Sequence, residues 1–174
     1  MTSAPETPKP SPAAPCRLRP AEPGDVDAIV GLIRGLAEFE QLTHLLKVTP
    51  ENLRPHLFGP KPAAEAWVAE VEREVVGFAL FFTNFSTFLA QPGLYLEDLF
   101  VAPSQRGRGI GEALLTRLAQ LAVERDYGRF EWSVLDWNEH AICFYERMGA
   151  TVMPDWRICR IAGDALAAFR DRGR

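Results

Sequence analysis

The feature that most constrains this chain is the hexapeptide Arg106-Gly107-Arg108-Gly109-Ile110-Gly111, three alternating glycines set between a strand-like run and a helix-like run. Upstream, Leu94 to Val101 reads as a strand closed by Pro103. Downstream, Leu114, Leu115, Leu118, Leu121 and Ala122 share one helical face, and the pattern ends near Asp126 and Gly128. A glycine bend feeding a helix N-terminus offers unpaired N–H groups and the positive end of the helix dipole, a combination suited to an anion. Glycine belongs there because the chain turns through unusual φ, and because a diphosphate approaches the main chain only where no Cβ intervenes. Arg106 and Arg108 add positive charge. A Walker loop requires Lys-Ser or Lys-Thr after its glycines, and a dinucleotide fingerprint starting at Gly107 wants a third glycine where Glu112 stands. Both fail, which leaves a phosphate cradle of another form or a glycine turn with no ligand.

The rest of the chain alternates around this segment. Cys16 to Arg19 reads as a first strand ended by Pro20. Asp25 is the expected N-cap of a helix whose apolar residues Val26, Ile29, Val30, Ile33 and Leu36 run to about Phe39. Thr49 and Pro50 open a second helix ending near Leu57. Ala66 to Val71, a turn near Arg73, and Val75 to Phe82 form a hairpin. After the long helix come a strand from Arg129 to Leu135, a helix from Asn138 to about Met148 stopped by Gly149, a strand across Val152 to Ile161, and a short helix near Ala165 to Phe169. The expected fold class is α/β (α+β), in the order β-α-α-β-β-β-α-β-α-β. A mixed central sheet of six to seven strands carries helices on both faces, because a crossover helix returns the chain parallel.

Composition removes several functions. The 174 residues, 47% of them hydrophobic, suit a single domain over residues 16–174 behind a disordered leader over residues 1–15 that holds five prolines. A net charge of −4 argues against a nucleic-acid partner and suits a cationic substrate. Cys16, Cys143 and Cys159 are odd in number and widely spaced, so a disulfide framework is unsupported and a reducing cytoplasm is the expected compartment. His44, His56 and His140 lack the mutual spacing of metal ligands, and no metal is expected. The longest apolar stretch, Val75 to Phe82, is too short to span a membrane.

The motif resembles the pyrophosphate loop of acetyl-CoA-dependent N-acetyltransferases of the GNAT superfamily. With Leu94-Tyr95-Leu96-Glu97-Asp98-Leu99-Phe100-Val101 upstream, and Val134-Leu135-Asp136-Trp137-Asn138-Glu139 and Phe144-Tyr145 downstream, the chain resembles the spermidine/spermine N-acetyltransferase family from about Arg17 to Arg160. Leu36-Ala37-Glu38-Phe39-Glu40 extends the likeness. Ser86-Thr87 and the Val134 block look most like its thialysine branch. Polyamine-specific members carry an acid where this chain has Thr87 and a Tyr where it has Phe39.

The resemblance implies acetyl-CoA as donor, a small cationic amine with a lysine-like side chain as acceptor, and a homodimer. Cofactor contacts would come from Leu99, Phe100, Val101, the loop Arg106 to Gly111, Glu112, Asn138, Ala141 and Tyr145. Acceptor contacts would come from Phe39, Glu40, Glu97, Asp98, Glu131, Trp132, Ser133, Asp155 and Trp156. Tyr145 looks like the proton donor to the leaving thiolate, although on residue pattern alone it is equally a packing residue of an apolar helix face. Asn138 is equally a helix N-cap. Chemistry supplies the remaining roles. An alkyl ammonium of pKa about 10.4 is neutral in roughly one molecule per 10³ at pH 7, so its deprotonation is a real barrier; Glu97, acting through water, is a candidate base, and water itself is the alternative. Two adjacent acids on a strand point to opposite faces, so at most one of Glu97 and Asp98 faces the acceptor directly. The rival readings are a polyamine (spermidine/spermine) acetyltransferase, a CoA-binding module without catalysis, and an enzyme acting on protein amines.

Overall fold

The computed structural model describes residues 14–172, so all but the last two residues of the expected leader lie outside the described chain. Within it, contacts define one unit that ends at Ser133 and a second that begins at Val134.

The first unit is built on one sheet in the order β1 (Arg17–Pro20), β2 (Glu65–Val71), β3 (Glu74–Ser86), β4 (Gln91–Val101) and β5 (Phe130–Trp132). The first three pairings are antiparallel. The last, β4 with β5, is parallel, because helix α3 (Ile110–Glu124) carries the chain back over the sheet between them. Pro20 is the last residue of β1 rather than its stop. On an edge strand its missing N–H costs no ladder bond, and the next residue resumes pairing through Ala21 N–H to the Ala66 carbonyl at 2.9 Å.

Helices cover both faces. On one, α1 (Val26–Phe39) and α2 (Pro50–Phe58) bring Ile29 and Leu57 onto Ala66, Val68, Phe78, Leu80 and Phe100. On the other, α3 lies against β2, β3 and β4 and buries Leu114, Leu115, Leu118 and Leu121. Thr49 caps α2 as expected, with reciprocal bonds to Asn52. Asp25 does not cap α1 with its side chain. A short turn, Pro23–Asp25, precedes the helix, and the Asp25 carboxylate accepts the Glu22 N–H at 2.7 Å and Arg19 Nη1 at 2.6 Å. The Arg19 bond, joined by the Glu22 N–H, holds this carboxyl below its usual range.

In the second unit, α4 (Glu139–Arg147) begins at Asn138 and ends through Gly149, whose φ of +93° lets the Ala150 N–H reach the Tyr145 carbonyl at 3.0 Å. A five-residue helix, α5 (Gly163–Ala167), follows.

Two expectations need correction. The sheet has five strands rather than six to seven, and residues 152–161 are irregular. Pro154 and Asp155 form a turn inside that run, and a strand with no neighbour to complete its ladder has no reason to persist. The strand expected over Arg129 to Leu135 is only Phe130–Trp132, because β5 pairs β4 at three positions, Leu94, Tyr95 and Leu96. Among the described residues, no helix is long and apolar enough to cross a membrane.

Candidate active site

The glycine segment forms a bend between β4 and α3. Gly107 and Gly109 have φ of +74° and +75°, in the left-handed region that L side chains avoid, and a Cβ built on either meets nothing within 4 Å. Gly109 is the N-cap of α3, and no side chain caps the helix. The first bond into the helix runs from the Ala113 N–H to the Gly109 carbonyl at 2.9 Å, so the first-turn N–H groups of Ile110, Gly111 and Glu112 face outward from the helix start. A helix start of this geometry can hold an anion through main chain alone.

The two arginines of the motif are committed elsewhere. Arg108 donates to Gln105 Oε1 and, at 2.5 Å, to the Ala14 carbonyl. Arg106 Nε donates to the Val101 carbonyl at 3.1 Å, while its guanidinium carbon sits 5.2 Å from the ring centres of both Phe39 and Phe100.

Beside the bend, β4 outruns β5. Pairing with β5 stops at Leu96↔Trp132, whereas pairing with β3 continues to Gly77↔Val101. The Ala102 N–H bonds to the Val76 carbonyl at 2.8 Å, which fixes the alternation of the ladder: Phe100 spends its main-chain groups on Phe78, while Leu99 and Val101 turn theirs to the open edge. The trio Leu99, Phe100, Val101 therefore divides, with two residues able to bind through main chain and one buried against α1.

A bulge decides the acidic pair. The register with β3 jumps from Leu80↔Asp98 to Phe81↔Leu96, leaving Glu97 as the extra residue. The slip places Asp98 on the same face as Tyr95 and Phe100, the side covered by α1. Asp98 is half-buried and Glu97 exposed. Burial, with the nearby charges of Glu97 and Glu40, pushes the Asp98 carboxyl up to about 6, and burial also raises that of Glu40. Glu40, Glu97 and Asp98 thus form one acidic patch where α1 ends over β4.

Other expected acceptor residues separate. Glu131 pairs with Tyr95 in the register and accepts Asn84 Nδ2 at 3.0 Å. Arg129 Nε lies 2.8 Å from the same oxygen, too far out of line for a hydrogen bond, so Glu131 already has two partners. Ser133 shares a 2.8 Å hydroxyl contact with Tyr95. Trp132 pairs with Leu96, which places it on the α3 face with Phe130, 4.8 Å ring to ring, away from Glu131 and Ser133. Asn84 and Tyr95 escaped the sequence reading. Tyr95 lay within the quoted block, but only the bulge reveals which face it shares.

In the second unit, Asn138 caps α4 by accepting the Ala141 N–H at 3.2 Å, and Tyr145 stands in that helix, its ring 5.3 Å from that of Phe144. Asp155 lies in the irregular segment with Trp156, which is 72% exposed. Among the described residues no cluster of His, Cys, Asp and Glu could hold a metal ion.

Residues 28–150 match the model of the acetyltransferase (GNAT) family. The chain belongs to the GNAT family. It is 38% identical over 198 residues to an L-ornithine N5-acetyltransferase, NATA1, of Arabidopsis thaliana, spanning 88% of this chain and 87% of that protein. It is 36% identical to the thialysine N-epsilon-acetyltransferase of Mus musculus, over 91% and 99% of the two chains. Among solved structures, an integron cassette protein from V. cholerae superposes with a TM-score of 0.75 at 24% identity, covering 90% of this chain and 98% of the other. This GNAT protein is an N-acetyltransferase by family, its mixed sheet is the GNAT fold, and its relatives act on small amines.

Proposed function

We propose that this enzyme transfers acetyl from acetyl-CoA to a primary amine of a small cationic molecule with a lysine-like or ornithine-like side chain. The observation that carries the reading is the left-handed glycine bend, whose outward N–H groups adjoin the open edge of β4. The fit to the cofactor follows from that geometry. Empty space where Cβ atoms would sit at Gly107 and Gly109 admits a diphosphate, and the N–H groups of Ile110, Gly111 and Glu112 neutralise it. Leu99 and Val101 offer strand-like bonding to an amide-bearing arm. Bound acetyl-CoA would supply the acetyl group as a thioester, with thiolate as leaving group.

The chain's own residues then do the following. Asp98, with Glu40 and Glu97 adding charge, attracts an ammonium and accepts its proton when ionised, while Glu97 reaches the same proton through water. Main-chain groups at the end of β4 orient the carbonyl. By the family resemblance Tyr145 would be the acid: a phenol of pKa about 10 is protonated at neutral pH and can give its proton to a thiolate whose conjugate acid has a pKa of about 8.5. Asn138 orders the start of the helix that carries Tyr145. An acceptor of this class is supported by the names of the ornithine and thialysine relatives and by the acidic patch. A homodimer belongs to the same reading through the family resemblance, and a cytoplasmic setting through the three cysteines, which form no disulfide framework.

The test is an amine panel of thialysine, lysine, ornithine, putrescine, spermidine and spermine, assayed for acetyl-CoA consumption with wild type and Tyr145→Phe. The amino-acid amines should exceed spermine in kcat/KM, and Tyr145→Phe should lower kcat by about 10²–10⁴ while CoA affinity persists. Tight CoA binding with no acetylation of any amine would make the protein a CoA-binding module instead. Unchanged turnover in the Phe variant would remove Tyr145 from the mechanism.

A further inference from the structure

Arg106 opens the diphosphate motif, and its charge invites the role of phosphate ligand. Its surroundings point elsewhere. The guanidinium lies over two aromatic rings, Phe39 in the last turn of α1 and Phe100 in β4, each 5.2 Å away, and Nε is bonded to the Val101 carbonyl at 3.1 Å. Among the described residues no carboxylate lies within ion-pairing distance of it, so it is held by ring faces and one carbonyl rather than by an opposite charge. A planar, weakly hydrated cation suits that setting, and an ammonium does not replace it.

We infer that Arg106 is a positioning residue that clamps the cofactor bend to the last turn of α1 through Phe39, and so sets the acceptor wall rather than neutralising the diphosphate. The two ends of the clamp bear on different substrates. Arg106 begins the bend that carries Gly107 and Gly109, while Phe39 immediately precedes Glu40, one of the charges acting on Asp98. Its bond to Val101 also occupies one carbonyl of the open β4 edge, leaving the Val101 N–H and both main-chain groups of Leu99 for the cofactor arm. Loosening Arg106 therefore frees the turn holding Phe39 and Glu40, and the loss appears on the amine side.

The inference rests on the proposed acetyl transfer, and its test separates the two. Arg106→Met and Arg106→Lys are compared with wild type and Phe39→Leu, using acetyl-CoA and S-acetylpantetheine, a donor without diphosphate. A clamp predicts that both Arg106 variants raise the amine KM by about three- to tenfold with either donor, and that Arg106→Met adds little in the Phe39→Leu background. A phosphate ligand predicts the reverse: an effect confined to acetyl-CoA, rescue by Lys, and additivity with Phe39→Leu. Any of these three results overturns the clamp. Amide exchange gives a readout without turnover. The N–H groups of Glu40, Gln41 and Leu42, bonded to Leu36, Glu38 and Ala37, should exchange faster in Arg106→Met and in Phe39→Leu, with the central amides of α3 unchanged. Unaltered exchange at those three amides sinks the clamp even if wild type acetylates nothing, an outcome that would sink the proposed function separately.

Discussion

The region through Ser133 and the region from Val134 differ in what holds them. The first contains every buried residue among the described residues, from Asp25 to Ala122, with Phe78, Ile29, Leu94, Leu114 and Leu118 completely or almost completely enclosed. The second contains none, and its Val152, Met153, Trp156, Ile158, Ile161, Leu166 and Phe169 are all exposed. A segment this short cannot enclose a core of its own. The comparison assigns the parts differently. The glycine bend proposed as anion cradle, the open strand edge and the acidic patch are properties of a packed scaffold, while the tyrosine proposed as acid stands in a helix that relies on local devices, the Asn138 cap and the left-handed Gly149.

The sharpest test of that contrast is stability. Phe78→Ala removes a ring that is 0% exposed and should cost about 3–5 kcal/mol in urea unfolding, whereas Ile158→Ala should change stability by no more than about 0.5 kcal/mol. A large loss at Ile158 would break the comparison by revealing a core in the second region. Next in size, Gly109→Val places a branched side chain at φ +75° and fills the space over the bend, so the CoA dissociation constant should rise about 10–100-fold by calorimetry. Gly149→Ala, at φ +93°, should strain its own helix end and leave CoA affinity unchanged. Equal losses at the two glycines would mean that the cradle does not hold the diphosphate.

The smallest effect concerns Asp98, whose carboxyl is pushed from 3.8 up to about 6. Between those values the native state binds more protons than the unfolded chain, so stability should decline as pH rises through that window, and Asp98→Asn should flatten the decline. Activity should move the other way. If the ionised carboxylate holds the amine, kcat/KM for the amine rises with pH through about 6, and that break disappears in Asp98→Asn. A break that survives the substitution would return the role to Glu97.

Much of the fold was legible from the chain. The helical spacing of Val26, Ile29 and Val30, the Thr49-Pro50 opening, the turn near Arg73, where Glu72 and Arg73 adopt φ of 51° and 69°, and the glycine bend before α3 all stand where expected. The failures share a cause. Val152 to Ile161 has strand-like composition, yet pairing depends on a distant neighbour that composition does not report. Glu97 and Asp98 were separable in principle by two-residue alternation, but a bulge is a mismatch between two strands and leaves no mark on one of them. Asp25 has the chemistry of a cap and spends it instead on Arg19 and the Glu22 N–H.

By itself, then, the sequence determined the local conformations that glycine, proline and apolar periodicity dictate, and with them the uncapped, left-handed bend at the start of one helix. Only the tertiary structure decided which acid turns toward α1, which β4 carbonyls and N–H groups stay open, and that Arg106 lies on Phe39 and Phe100. The first set follows from torsional and hydrogen-bonding preferences among near neighbours. The second depends on register and packing between residues far apart in the chain, such as Leu80 with Asp98 and Phe39 with Arg106, and is settled when those surfaces meet.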